Sequence, residues 1–329
     1  MSEEKLNAYV NRTEEMVRPE EVVAISLFGS IMGKLPVSIQ KKLMATPSAK
    51  TAKMGFVVEP YALFTCHEIT NMEQAQRLIP DDYRVVPTRI FHDDEPKPYV
   101  IFGGFTVHSS PFWGSRIEMY IIAENTRTGM LSWIIVDYDS NTLSFDPGQG
   151  FVDGNAVKSV VTTTHRGKVL VDMKTAQRRI AVKADIREGI ETPLDERLWV
   201  EGNLSIDYGR ELAEGTGSPF GLIFEPGEME RALRIPLDHA EVEELTWHIG
   251  LYNPAPSQVA CFPYAQHFIT SQVPTTNGIE TREDLDQAIS EFNATPLSEG
   301  SSAAGIRSLL VGSMVSLLTT VALLSFVVL

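Results

Sequence analysis

The sequence predicts a mainly β body of the α+β class, with an N-terminal helical segment and an apolar C-terminal tail that forms a further helix. Three observations carry this. The segments YVIFGGF (99–105), MYIIA (119–123) and SWIIV (132–136) are apolar on both faces. That suits a sheet covered on both sides, or a barrel whose interior is filled. Helix-start signals cluster before residue 47, at Thr13-Glu14-Glu15 and Pro19-Glu20-Glu21, where acids favour the positive end of the helix dipole. Ser308 to Leu329 contains no charged residue.

The elements follow in order. Val22 to Met32 is an apolar helical stretch that Gly33 and Pro36 end. Packing on the core is its simplest use. Strands begin near Lys53, at Phe56–Val58 and Tyr61–His67. A short helix spans Glu73 to Ile79, stopped by Pro80-Asp81-Asp82. Tyr99–His108, Ile117–Ala123 and Leu131–Asp137 are strands broken by Gly- and Pro-containing turns. Lys168–Met173 and Arg179–Asp185 read as a pair. Arg197–Tyr208 and Phe220–Phe224 continue the strands, and Glu228–Leu233 and His239–Leu245 read as short helical pieces. The organisation expected is a helical segment over 1–47, a body over 48–270, a linker over 271–307 with one helix near Glu283–Phe292, and a tail over 308–329.

At about 1.5 Å per helical residue, the tail is long enough to cross a hydrocarbon core of about 30 Å. It is expected to be a single-pass transmembrane anchor, with the body facing the cytoplasm. The alternative is a processed glycolipid-anchor signal, since Ser298 to Gly305 is rich in small residues. The polar, acidic N-terminus carries no export signal, which favours the tail anchor.

A net charge of −15 excludes a general nucleic-acid binder, because phosphate contacts need clustered Lys and Arg. Two cysteines, Cys66 and Cys261, in apolar surroundings are expected to be buried and inert. No cofactor or metal is expected. Gly215 to Gly221 lacks the spacing of a phosphate loop, and His92-Asp93-Asp94 has no second histidine at ligand spacing. Asp137, Tyr138 and Asp139 read as turn formers at a strand end. His108 stands out among the histidines, with Phe105, Phe112 and Trp113 near it in sequence.

The order of segments resembles the acetoacetate decarboxylase-like superfamily. Ala62 to Pro87 (ALFTCHEITNMEQAQRLIPDDYRVVP) is similar to its opening strand, helix and proline-turn-strand step. Gly114 to Asn125 (GSRIEMYIIAEN) is similar to its glutamate-bearing strand, and Lys168–Val171 and Ile180–Lys183 to its later hairpin. The resemblance covers about residues 55–270. It implies a closed β barrel around an apolar pocket, and a small apolar, oxo-acid or polyketide-like ligand. It also implies Schiff-base chemistry at one of two paired lysines, made nucleophilic by an apolar site. Here Gly148 and Gln149 follow Pro147 where those lysines are expected. Val57-Val58-Glu59-Pro60 likewise lacks the family's arginine.

Glu118 carries over from that pattern. Strand alternation sets Glu118, Tyr120 and Ile122 on one face. Glu118 is the expected acid–base residue, with Arg116 or Lys158 in support. The function expected is lyase or cyclase-type acid–base work on an oxo-acid. The competing expectation is non-catalytic binding of an apolar metabolite. Oligomeric state is not legible.

Overall fold

The computed structural model describes residues 2–44, 53–109, 113–146, 149–213, 219–271 and 278–294. Local signals start the N-terminal helices. α1 (Glu3–Met16) is capped by Ser2, whose side chain accepts from Lys5 N, with Glu3 and Glu4 in its first turn. α2 (Pro19–Met32) opens on its proline, and α3 (Val37–Met44) follows. α1 buries Tyr9, Thr13 and Met16. The Tyr9 hydroxyl bonds the carbonyls of Ile223 (3.1 Å) and His267 (2.7 Å), which fixes the helix on the body.

The strands then run as β1 (Lys53–Val58), β2 (Ala62–Glu68), β3 (Tyr83–Val85), β4 (Tyr99–Ser109), β5 (Trp113–Asn125) and β6 (Leu131–Ser140). α4 (Met72–Leu78), capped by Asn71, lies between β2 and β3. β7 (Ser144–Asp146) and β8 (Gly150–Val152) form a small hairpin. β9 (Lys158–Thr163), β10 (Lys168–Lys174) and β11 (Arg179–Asp185) follow, then β12 (Ile190–Pro193), α5 (Glu196–Trp199), β13 (Ile206–Tyr208) and α6 (Arg210–Ala213). β14 (Ile223–Phe224), β15 (Arg231–Arg234), β16 (Ala240–Leu245), β17 (Gln258–Phe262), β18 (Gln266–Ser271) and α7 (Arg282–Ala294) complete the described chain.

The first sheet runs β12–β15–β17–β2–β4–β1–β18–β14, with β5 on the far side of β4 and β6 beyond it. The second sheet runs β16–β11–β10–β9. The first sheet is apolar on both faces, as its sequence requires. One face, with Val100, Phe102, Met119 and Ile121, packs on Val171, Met173 and Val182 of the second sheet. The other, with Ile101, Tyr120 and Ile122 beside Phe64 and Trp133 of the same sheet, packs on Trp199 of α5. The mainly β, α+β class is therefore as expected.

The closed barrel is not. Among the described residues the path ends at β12, paired only with β15, and at the two-residue β14, paired only with β18. β12 is short, and Ile190, Glu191 and Pro193 on it are exposed. Proline has no N–H to give a further ladder, so the edge stays an edge. The single-pass membrane location is corrected too: among the described residues no helix is long and apolar enough to cross a membrane. Residues 308–329, on which that expectation rested, lie outside the described residues.

Three local readings also change. Glu228–Leu233 is helical only as far as Met229, and Arg231–Arg234 is strand β15, laddered between β12 and β17. His239–Leu245 is strand β16, because Ala240, Glu241, Val242 and Glu243 alternate between half-buried and exposed. Arg197–Tyr208 begins with α5, because the Asp195 carboxylate caps Leu198 N at 3.0 Å. Within 271–307, α7 buries Leu285, Ile289 and Phe292 and packs on α1 and β14.

His267 links α1 to β18. Its Nδ1 meets Glu228 at 2.7 Å and its Nε2 meets Glu14 of α1 at 3.3 Å. Burial alone would lower its pKa; the carboxylates of Glu228 and Glu14 outweigh burial and hold it above 6.5. Such a group stabilises the fold fully below the unfolded pKa, and that contribution is lost as pH rises through the folded one. His267→Gln should therefore cost most stability near about pH 6, with the gap to the parent shrinking in alkali. Denaturant midpoints of both proteins across pH check this; a gap that does not change with pH would refute a charged imidazole.

Candidate functional site

β5 carries the strongest cluster of chemistry. Arg116, Glu118 and Tyr120 are alternate residues of one strand and lie on the face of the first sheet that also carries Phe64 and Trp133. The Arg116 Nε–H donates to Glu118 Oε1, and the Tyr120 hydroxyl donates to Glu118 Oε2. Arg116 Nη1 also donates to Ser144 Oγ at 2.9 Å, and its guanidinium lies 4.0 Å from the centre of the Tyr138 ring. Glu118 and Tyr120 are each 8% exposed.

The surrounding strands shape this cluster. Gly103 of β4 stands directly opposite Glu118. A Cβ there would come within 2.7 Å of the Phe64 ring, so any side chain at 103 would displace that ring. On β6 an irregularity shifts the register between Met119 and Tyr120, pairing Met119 with Asp137 but Tyr120 with Ile135. The shift brings Tyr138 opposite Glu118. Tyr208 of β13 is close enough to act electrostatically on both Arg116 and Tyr120.

The electrostatics are those of a buried ion pair with a phenol attached. Burial alone would lower the Arg116 pKa, but the Glu118 charge overrides it and raises it. Burial, then the Glu118 charge, pushes the Tyr120 phenol well above its ordinary range. Tyr120 is thus a neutral hydroxyl donor. Glu118 holds a cation on one oxygen and a phenol on the other.

Of the three residues singled out from sequence, the structure brings Arg116 and Glu118 together. Lys158 stands elsewhere, on the outer face of the second sheet. Its ammonium pairs with Asp172, which also holds Arg179 at 2.9 Å, and Arg179 reaches Glu244 at 2.8 Å. Hydrogen bonding from Arg179, helped by Lys158, holds the Asp172 carboxyl down to about 2. Among the described residues no lysine is buried. Pro147 and Gly148, in the loop that departs from the family pattern, lie outside the described residues. Tyr120, Tyr138 and Ser144 were not foreseen as site residues. Alternation from Glu118 reaches Tyr120, whereas Tyr138 depends on the register shift.

Asp93 and Asp94 hold Arg234, at 2.5 and 2.9 Å. Asp137 and Asp139, read as turn formers, hold Arg178. Among the described residues no group of His, Cys, Asp and Glu is placed to bind a metal.

No family model and no curated protein matches the chain. Solved structures do. An acetoacetate decarboxylase from Legionella pneumophila is 12% identical, with a TM-score of 0.41 over 67% of this chain and 86% of that one. A second acetoacetate decarboxylase structure is 7% identical, with a TM-score of 0.31 over 65% of this chain and 84% of that one.

Proposed function

We propose that this is an acetoacetate decarboxylase-like protein that acts on a small or lipophilic oxo-acid or polyketide-like metabolite by acid–base chemistry, without a Schiff-base lysine. The observation that supports it is the buried array of Arg116, Glu118 and Tyr120 on β5. A carboxylate fixed at the edge of an aromatic layer suits removal of a proton from carbon next to a ketone. The proton passes to Glu118 and the C–H electron pair moves into the carbonyl, giving an enolate. The Arg116 charge offsets that negative charge in a poorly hydrated setting. In a cyclase-type step the enolate carbon bonds to a second carbonyl carbon of the same molecule. The resulting alkoxide then recovers the proton from Glu118.

Glu118→Gln keeps the shape but cannot accept the proton. Turnover on a panel of β-keto acids and poly-β-keto thioesters should fall by about 10²–10⁴-fold. Borohydride reduction with the same panel should leave every lysine unlabelled. Full activity in Glu118→Gln, or a reduced adduct on any lysine, would overturn the proposal.

A second reading is non-catalytic binding in the same site. It is favoured by the two donors that already occupy both oxygens of Glu118. Saturable binding without consumption of ligand would support it.

A further inference from the structure

We propose that two copies of this chain meet at β9, the edge of the second sheet, strand against strand across a two-fold axis. The surface is separate from Glu118, which lies on the face of the first sheet turned away from the second. β9 ends its sheet: among the described residues it pairs with β10 alone. Thr164 N donates to Lys168 O at 2.8 Å, which makes those two residues a hydrogen-bonded pair. By the alternation of an antiparallel ladder, Val160 and Thr162 turn their backbone groups toward β10, and Ser159, Val161 and Thr163 turn theirs outward. Beyond that edge Val161, Thr162 and Thr163 line a cleft of about 210 Å³.

Other edges carry devices that stop a further strand. β12 has Pro193, which lacks an N–H, and β16 has Glu241, Glu243 and Glu244, which repel their like. β9 reads KSVVTT. It has no proline, and Val160 to Thr163 are all β-branched. Its one charge, Lys158, is neutralised by Asp172 of β10.

Two features select a second copy as the occupant. First, β9 complements itself. Antiparallel pairing centred on Val161 sets Val161 against its own counterpart on the axis, Ser159 against Thr163 and Val160 against Thr162. The outward N–H and C=O groups of Ser159, Val161 and Thr163 all find partners in this register. The two Lys158 side chains stand at opposite ends of the ladder. A chain of net charge −15 thus meets itself along β9 with no like charges opposed.

Second, Ser159 lacks a partner that the other copy supplies. Its Oγ is buried and makes no hydrogen bond among the described residues. A buried hydroxyl left alone is costly. In the register above, the exposed Thr163 of the other copy stands on the same face, directly across from Ser159. Such cross-strand Ser–Thr pairs hydrogen-bond to each other. Pairing along one short strand buries little surface, so the dimer is weak and depends on concentration.

Sedimentation of the full chain should show monomer passing to dimer as its concentration rises from micromolar to millimolar. Cross-linking tests the position. Hydrogen-bonded partners in an antiparallel ladder have Cα atoms about 5.5 Å apart, within disulfide range. Val161→Cys, oxidised with glutathione disulfide, should therefore give a covalent dimer. Val157→Cys, at a position that is 72% exposed, should not, because its counterpart lies at the far end of the ladder. The native Cys66 and Cys261 are buried and stay out of the reaction. Thr163→Pro removes an outward N–H from each copy and should weaken the dimer by at least about tenfold, with near-UV circular dichroism unchanged. If that variant misfolds, the cross-linking pair decides. Absence of a dimer at millimolar concentration would overturn the proposal. So would equal cross-linking of Val161→Cys and Val157→Cys, or a folded Thr163→Pro protein that dimerises like the parent.

Discussion

Arg178→Ala should lower stability by about 3–5 kcal/mol, the largest loss expected from any single charged residue here. Arg178 stands at the entry to β11 and ties the second sheet to β6 of the first. Its Nε and Nη2 donate to Asp139 at 2.9 and 2.7 Å, Nη2 also donates to Asp137 at 2.7 Å, and Nη1 donates to Asp137 as well. Its guanidinium lies 3.7 Å from the centre of the Trp247 ring. The Asp139 side chain is 1% exposed. Without Arg178 it keeps the amide of Asn155, at 2.6 Å, but loses its cation. A carboxylate in that position is costly because water cannot replace the lost charge.

Asp137 fares better, because His248 remains at 3.0 Å. Burial pushes the Asp137 carboxyl up, but hydrogen bonds from His248 and Arg178 outweigh it and hold it below its ordinary range. Arg178→Lys restores a charge but not the planar fork that serves both aspartates, so it should recover only part of the loss. Urea unfolding of the three proteins at neutral pH measures this. A loss below about 1 kcal/mol in Arg178→Ala would place the cluster among ordinary surface ion pairs.

These residues show how far the sequence reaches. The run from Ile117 to Ile122 lies on a strand, and strand alternation alone puts Glu118 and Tyr120 on a shared face. The irregularity on β6 is not legible, since Val136 looks like any other apolar strand residue; yet it decides that Tyr138 meets Glu118. Asp137 and Asp139 read as turn formers because their partner lies about forty residues onward, across two sheets. Barrel closure cannot be read either. It depends on whether β12 and β14 find partners, and apolar texture says nothing about edges. The missing lysine pair is plain at Gly148 and Gln149. Where Lys158 stands follows only from the pairing of β9 with β10, which sets its charge on Asp172.

Arg116→Leu should be almost as damaging to stability as Arg178→Ala, at about 3–5 kcal/mol, because it leaves Glu118 buried without its cation. The side chains of Arg116 and Glu118 are only 15% and 11% exposed, so solvent cannot take over. The informative protein is the double variant Arg116→Leu with Glu118→Leu. A buried ion pair replaced by apolar groups of similar size is often neutral in stability. The double variant should therefore recover most of the loss and still turn over none of the oxo-acid panel. Recovery of stability without activity would mean that the pair is not needed to hold the fold, which leaves chemistry or ligand binding as its use. If the double variant stays as unstable as the single one, the pair is structural. Its role would then be to hold β5 against Ser144 through Arg116 Nη1, and the case for Glu118 as a base would fail.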